Sequence, residues 1–285
     1  MSITRNLSGI FSRPILGRAL LPAPKVVPVP RILITADLGE LWHEEPLQAF
    51  LRRMARLKLP VTLFASNEFL DGRKGYPVVK RIRAAARRSG QTLEIASHAL
   101  RHVSLSGERP ARAAALIKAS ILEFRRAGIP VRGFRAPYLS IERSYPRVLK
   151  ALSAEPGILA YDSSSLYERN MAMSRVHDVL NWKPPHRVGT VWELPLSCLD
   201  DYHLFDKLGR EDSSAAAYWV RKCASGLRRF NYFHMLVHPE IISAHFPALE
   251  AFLGTCLKAW GRAPFATCGG LTDELNARNK EKAVR

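Results

Sequence analysis

Short apolar runs alternate with longer amphipathic stretches between residues 31 and 260, and this alternation narrows the folds open to the chain. Compact apolar runs at 31–36, 61–66, 92–97, 131–134, 158–161, 191–194 and 232–237 read as buried strands. Between them, apolar residues recur at helical spacing, as in Leu47, Phe50, Leu51 and Met54. That spacing predicts helices over 46–58, 76–89, 109–127, 145–152, 213–230 and 246–260, the third stopping at Gly128. Repeated strand–helix units are satisfied by a mostly parallel sheet covered with helices. No composition break divides residues 31–271, so one α/β domain, a closed or partly closed barrel, is the economical reading. A doubly wound open sheet is the structural alternative. No G-x-G-x-x-G or Walker-type loop follows any strand, which argues against a nucleotide site.

The flanks differ from this body. Residues 1–30 form a basic, Pro-rich leader, and 272–285 a polar tail expected to fray. Arg18 interrupts the only apolar stretch long enough to resemble a secretory signal, and nothing reaches about 18 consecutive apolar residues. A cytoplasmic protein, peripheral to the inner membrane face, is expected. Cys198, Cys223, Cys256 and Cys268 show no C-x-x-C spacing and read as free thiols.

Lys and Arg number 43 against 25 Asp and Glu, a net charge of +18. No acid precedes Asp37, and basic residues crowd the first third. Solvated helix faces are one reading; the other is an anionic partner, whether nucleic acid, anionic lipid or an acidic or phosphorylated glycan. No nucleic-acid motif accompanies the charge, so nucleic acid is not expected as a partner.

Polar, reactive side chains fall where the apolar runs end. Asp37 follows the first strand, His98 and His102 the third, Arg135 the fourth, Asp162 the fifth, and His238 the last. In a parallel barrel the C-terminal strand ends converge on one rim, so groups distant in sequence meet there. The i, i+4 spacing of His98 and His102 lets two imidazoles share a metal ion. Singly, each residue has an ordinary explanation: Asp37 or Asp162 as a helix cap, Arg135 as a structural ion pair, His238 as a core histidine.

Taken together, Ile34-Thr-Ala-Asp37, Leu93-Glu-Ile-Ala-Ser-His-Ala-Leu-Arg-His102, Gly133-Phe-Arg-Ala-Pro-Tyr138, Tyr161-Asp-Ser-Ser164 and Leu236-Val-His238 resemble the five ordered motifs of the NodB-type polysaccharide deacetylases, carbohydrate esterase family 4. The resemblance implies a distorted (β/α) barrel of about seven parallel strands and hydrolysis of an N-acyl group, usually N-acetyl on a hexosamine. It implies one divalent metal ion, commonly zinc, bound by His98 and His102. Asp37 then matches the base, Arg135 the arginine that orients it, and His238 the general acid with Asp162 tuning it. The backbone N–H of Tyr138 matches an oxyanion donor.

In one place the chain departs from that pattern. The family commonly carries a second, metal-binding acid one or two positions after the first, where this chain has Leu38 and Gly39; Glu40 follows one step later and is the candidate third ligand. The substrate expected is an N-acetylated amino-sugar glycan or lipid-linked saccharide. The alternatives are an amidohydrolase or deformylase of a small amide or lipid-linked sugar, and a catalytically inactive glycan- or membrane-binding barrel.

Overall fold

The computed structural model describes residues 25–39, 43–70, 76–141, 145–165 and 183–284. Nine strands appear among these: β1 Arg31–Leu38, β2 Val61–Ala65, β3 Leu93–Ser97, β4 Gly133–Phe134, β5 Tyr161–Asp162, β6 His186–Val188, β7 Val191–Glu193, β8 Tyr232–Val237 and β9 Phe265–Ala266. The accompanying helices are α1 Glu44–Leu57, α2 Tyr76–Ser89, α3 Pro110–Arg126, α4 Tyr145–Ser153, α5 Asp212–Phe230, α6 Pro239–Ile242, α7 Phe246–Trp260 and α8 Cys268–Val284. The sheet runs β6-β7-β5-β4-β3-β2-β1-β8, with β9 beside the start of β1. Every pairing is parallel except the β6–β7 hairpin.

The sheet curls until its two ends approach each other. The Ser197 N–H, just past β7, donates to the His234 carbonyl on β8 at 2.9 Å, and the Tyr232 hydroxyl donates to Pro195 O at 2.8 Å. The expected barrel-type α/β fold is therefore present, as a distorted half-barrel.

Period-2 alternation sorts the strand side chains. Ile32, Ile34, Leu63 and Ile95 face the helices and pack with Phe50, Ile117 and Phe252. Leu33, Phe64, Ala96, Tyr161, Trp192 and Tyr232 face inward and pack with Leu271 and Leu275 of α8. Gly133 belongs to this inner face for a steric reason: a Cβ there would lie 1.9 Å from Cζ of Tyr161.

Two flank expectations change. The supposed polar tail is α8, whose buried Leu271 and Leu275 form the barrel floor. Its polar residues also work: Glu274 binds Arg31 at 2.8 Å, Asp273 binds Arg132 at 2.6 Å, and Asn276 accepts from the Trp192 indole at 2.9 Å. A helix with one narrow apolar face reads as polar along the sequence. The leader splits: residues 1–24 lie outside the described residues, whereas Val27 is fully buried in the floor, its carbonyl held by Asn231 Nδ2 at 3.1 Å. All four cysteines are buried free thiols. Among the described residues, no helix is long and apolar enough to cross a membrane.

Candidate active site

The inward alternation on β1 runs from Leu33 at the floor through Thr35 to Asp37 at the rim. On β8 it runs from Tyr232 through His234, and the same period carries on to His238 just beyond the strand. The barrel interior thus grades from apolar to charged along its axis, because a single strand side supplies both its floor and its reactive end.

Arg135 is the centre of the charged layer. It is completely buried, and its Nη1 donates to Asp37 Oδ1 at 2.7 Å. Nε donates to Ser163 O at 3.1 Å. Nη2 reaches Ser163 Oγ at 2.9 Å, Thr35 Oγ1 at 3.0 Å and His234 Nε2 at 3.1 Å. The guanidinium lies 4.0 Å above the Phe64 ring centre. Arginine only donates, so His234 Nε2 must accept and the ring proton sits on Nδ1, 3.2 Å from Leu194 O. Burial, aided by the neighbouring guanidinium, holds the His234 pKa well below its usual value and keeps the ring neutral.

Burial alone would raise the Asp37 carboxyl, but Arg135, with smaller help from His98 and His238, overcomes this and holds it below the ordinary range. His98 Nδ1 lies 2.8 Å from the Arg135 carbonyl, to which it donates. Nε2 is then left with a lone pair, 3.6 Å from Asp37 Oδ2. Burial pushes the His98 pKa down to about 4, so two acceptors face each other across that gap. A cation suits such a gap. The His102 ring centre is 5.1 Å from that of His98, and a Cβ added at Gly39 would lie 3.2 Å from His102 Nε2. Among the described residues no set of three candidate metal ligands is assembled, and Glu40 lies outside them. Leu38 offers nothing to the site, since alternation turns it outward into the helix-facing core.

His238 stands at the same rim. Its Nδ1 is 2.7 Å from Asp201 Oδ1, and its backbone N–H donates to Asp201 Oδ2 at 2.7 Å. Burial would lower the imidazolium; Asp201 outweighs burial and pushes its pKa up to about 10. The partner expected for His238 was Asp162, and this needs correcting. Tyr161 takes the inward position on β5, so the next side chain, Asp162, faces the other side of the sheet. There it accepts from Ser164 N and Ser164 Oγ, each at 2.9 Å, beside Glu193, its register partner on β7. Burial raises both carboxyls, and the Asp162 charge pushes Glu193 higher still, so Glu193 carries the proton. Asp162 reaches the site through Ser164, whose hydroxyl accepts from the Ala136 N–H, and through the charge of Arg135.

Asp201, His234 and a second pair, Asp200–His203 (2.6 Å), were not singled out from the sequence. The consecutive acids Asp200 and Asp201 were the available signal for two of them. His234 is hidden within an apolar strand.

Tyr138 sits in the loop after β4 with φ 55° and ψ 18°, and Leu139 follows with φ 53°. Such left-handed non-glycine residues cost roughly 1–3 kcal/mol each and collect at functional loops. The Tyr138 ring is 63% exposed and meets the His102 ring edge-on, with centres 4.7 Å apart.

Residues 25–157 match the polysaccharide deacetylase family model. That segment belongs to the polysaccharide deacetylase family. The family resemblance carried by the sequence motifs is thereby borne out. Among solved structures, a putative polysaccharide deacetylase from Mycobacterium smegmatis superposes with a TM-score of 0.62 at 20% identity, covering 90% of this chain and 93% of that one. A probable polysaccharide deacetylase from Pseudomonas aeruginosa PAO1 gives 0.56 at 15% identity, covering 85% and 89%. PuuE allantoinase gives 0.57 at 15% identity, covering 97% and 98%. At these identities the likeness is one of fold. No curated protein sequence matches the chain.

The Asp201–His238 pair yields a pH prediction for any reaction in which His238 gives up a proton. Activity should fall as pH rises through about 10, where His238 deprotonates. In Asp201→Asn the supporting charge is gone while burial remains, so the alkaline limb should move several pH units lower. The same shift bears on stability. A histidine raised above its unfolded value of about 6.5 stabilises the fold fully below that pH, and loses the contribution as pH rises toward its folded pKa. A pH–rate profile of both proteins checks the first part; an unmoved limb in Asp201→Asn would show that His238 is not the group titrating.

Proposed function

We propose that this protein hydrolyses an N-acyl group, N-acetyl by preference, on an amino sugar of a glycan or glycolipid intermediate, with the aid of a divalent metal ion. The observation that carries the reading is a pair of rim groups poised in opposite protonation states. Asp37 is held ionised by Arg135, and His238 is held protonated by Asp201. Two titratable groups pushed apart in this way supply a base and an acid at one pH.

Amide cleavage needs both. Asp37 takes the proton of the attacking water, with Arg135 fixing the carboxylate so that Oδ2 faces the reaction centre. His238 delivers its proton to the departing amine nitrogen, which otherwise leaves poorly. The Tyr138 N–H is the donor assigned to the developing oxyanion. His98 and His102 would hold the metal, zinc by the chemistry of two imidazoles, and Glu40 is the candidate further ligand. When bound, such an ion polarises the acyl carbonyl and acidifies water. The two facing acceptors, His98 Nε2 and Asp37 Oδ2, support a cation at this place.

Purified protein should carry close to one divalent ion per chain and release acetate from N-acetylated oligosaccharides. His98→Ala/His102→Ala should lose the ion. Undiminished metal content in the double variant refutes the ligand assignment, whereas turnover of small cyclic or linear amides without acetate release would favour the amidohydrolase reading.

A further inference from the structure

The excess positive charge has a definite location. Each helix between parallel strands returns the chain from the reactive rim to the opposite, basal face, so α1 to α5 and α7 all end there. Every one of these six last turns carries Arg or Lys. Arg87 and Arg88 of α2, Arg126 of α3, Lys150 of α4, Arg228 of α5 and Lys258 of α7 are all exposed. Three acids near this face are engaged: Asp273 by Arg132, Glu274 by Arg31 and Glu155 by Lys118. Among the described residues, none of the six named cations forms an ion pair.

Complementing helix dipoles is the ordinary reason for cations at C-terminal ends. That reason applies equally to acids in first turns. Only α1 and α5 have them; α2, α3, α4 and α7 have none. The basal charge therefore exceeds what dipole matching accounts for.

Three observations select the partner. The segment 25–30 enters β1 at its basal end with Lys25 exposed and Val29 44% exposed. The sequence before it combines Arg5, Arg13 and Arg18 with apolar residues and no acid. Basic residues interspersed with apolar ones suit an anionic lipid surface. The exposed aromatics Tyr138 and Tyr202 follow strand ends on the rim side, whereas the aromatics that end α5 and α7 at the base, Phe230 and Trp260, are half-buried.

We propose that the basal face is a docking surface for an anionic lipid bilayer, holding the reactive rim turned away from the membrane. The test is flotation of the full chain with vesicles of phosphatidylcholine alone or mixed with phosphatidylglycerol, across a salt series. Binding should require the anionic lipid and weaken with salt, as exposed charges are screened over about 8–10 Å. Two variants with equal charge change separate the face from the net charge. Arg87→Glu/Arg88→Glu/Arg126→Glu reverses the base; Arg109→Glu/Arg112→Glu/Arg147→Glu reverses the rim-side starts of α3 and α4, where the arginines are also exposed. The basal variant should bind roughly 100-fold more weakly, and the rim variant within a few-fold of the parent. Circular dichroism melting monitors folding, and Arg87→Gln/Arg88→Gln replaces the basal variant should that one fail to fold. Equal losses in the two variants, equal binding to neutral vesicles, or tighter binding to duplex RNA at the same salt would each overturn the proposal.

Discussion

Asp37→Asn is expected to keep a folded protein and lower kcat for N-acetyl hydrolysis by about 10²–10⁴-fold. Asparagine matches aspartate in shape, and its amide oxygen still accepts from Arg135 Nη1 across the 2.7 Å contact. It cannot take a proton from water at neutral pH. Measuring kcat beside metal content sorts the roles: metal retained with turnover lost marks Asp37 as the base. Loss of the metal in this variant would make Asp37 a ligand and require another base.

Arg135→Leu is expected to carry the largest stability effect of any single rim substitution, about 3–5 kcal/mol. The side chain is fully buried, and its departure leaves Asp37, Thr35, Ser163 and His234 without their shared donor. A carboxylate buried without its counter-charge is the costly part, because desolvation is no longer offset. Urea unfolding measures the effect through its midpoint at unchanged slope. A loss below about 1 kcal/mol would mean that water replaces the guanidinium, and that the interior is wetter than its packing implies.

The strands and long helices were legible because burial imposes periods of 2 and 3.6 on the sequence. Asp37, His98, Arg135 and His238 were legible because each ends an apolar run and parallel strands end together, and His102 because it stands at i, i+4 from His98. Partnership was not legible. Whether Asp162 or Asp201 faces His238 depends on which side of β5 carries Tyr161, and on the course of the irregular chain between Glu193 and Tyr202. His234 escaped notice because it lies among Phe233, Met235 and Leu236, where a run of apolar letters conceals that alternate residues face a polar interior. The last helix was misread for a related reason: Leu271 and Leu275 supply a small apolar stripe, enough to plug a barrel yet too little to stand out among Asp273, Glu274 and Asn276.

That plug also bears on how the chain reaches its native state. β1 is the first of the described strands to leave the ribosome, yet its partners include β8 and β9, and its floor comes from α8. With synthesis at about 5–20 residues per second, roughly ten to fifty seconds separate the appearance of β1 from that of β9. Until β8 emerges, an apolar strand waits with one edge unpaired. Contacts between such distant parts are slow to form, since loop closure must precede them. Full burial of β1 is therefore deferred until β8, β9 and α8 have been made, and a chaperone that shields exposed strand edges would act on this domain chiefly through β1.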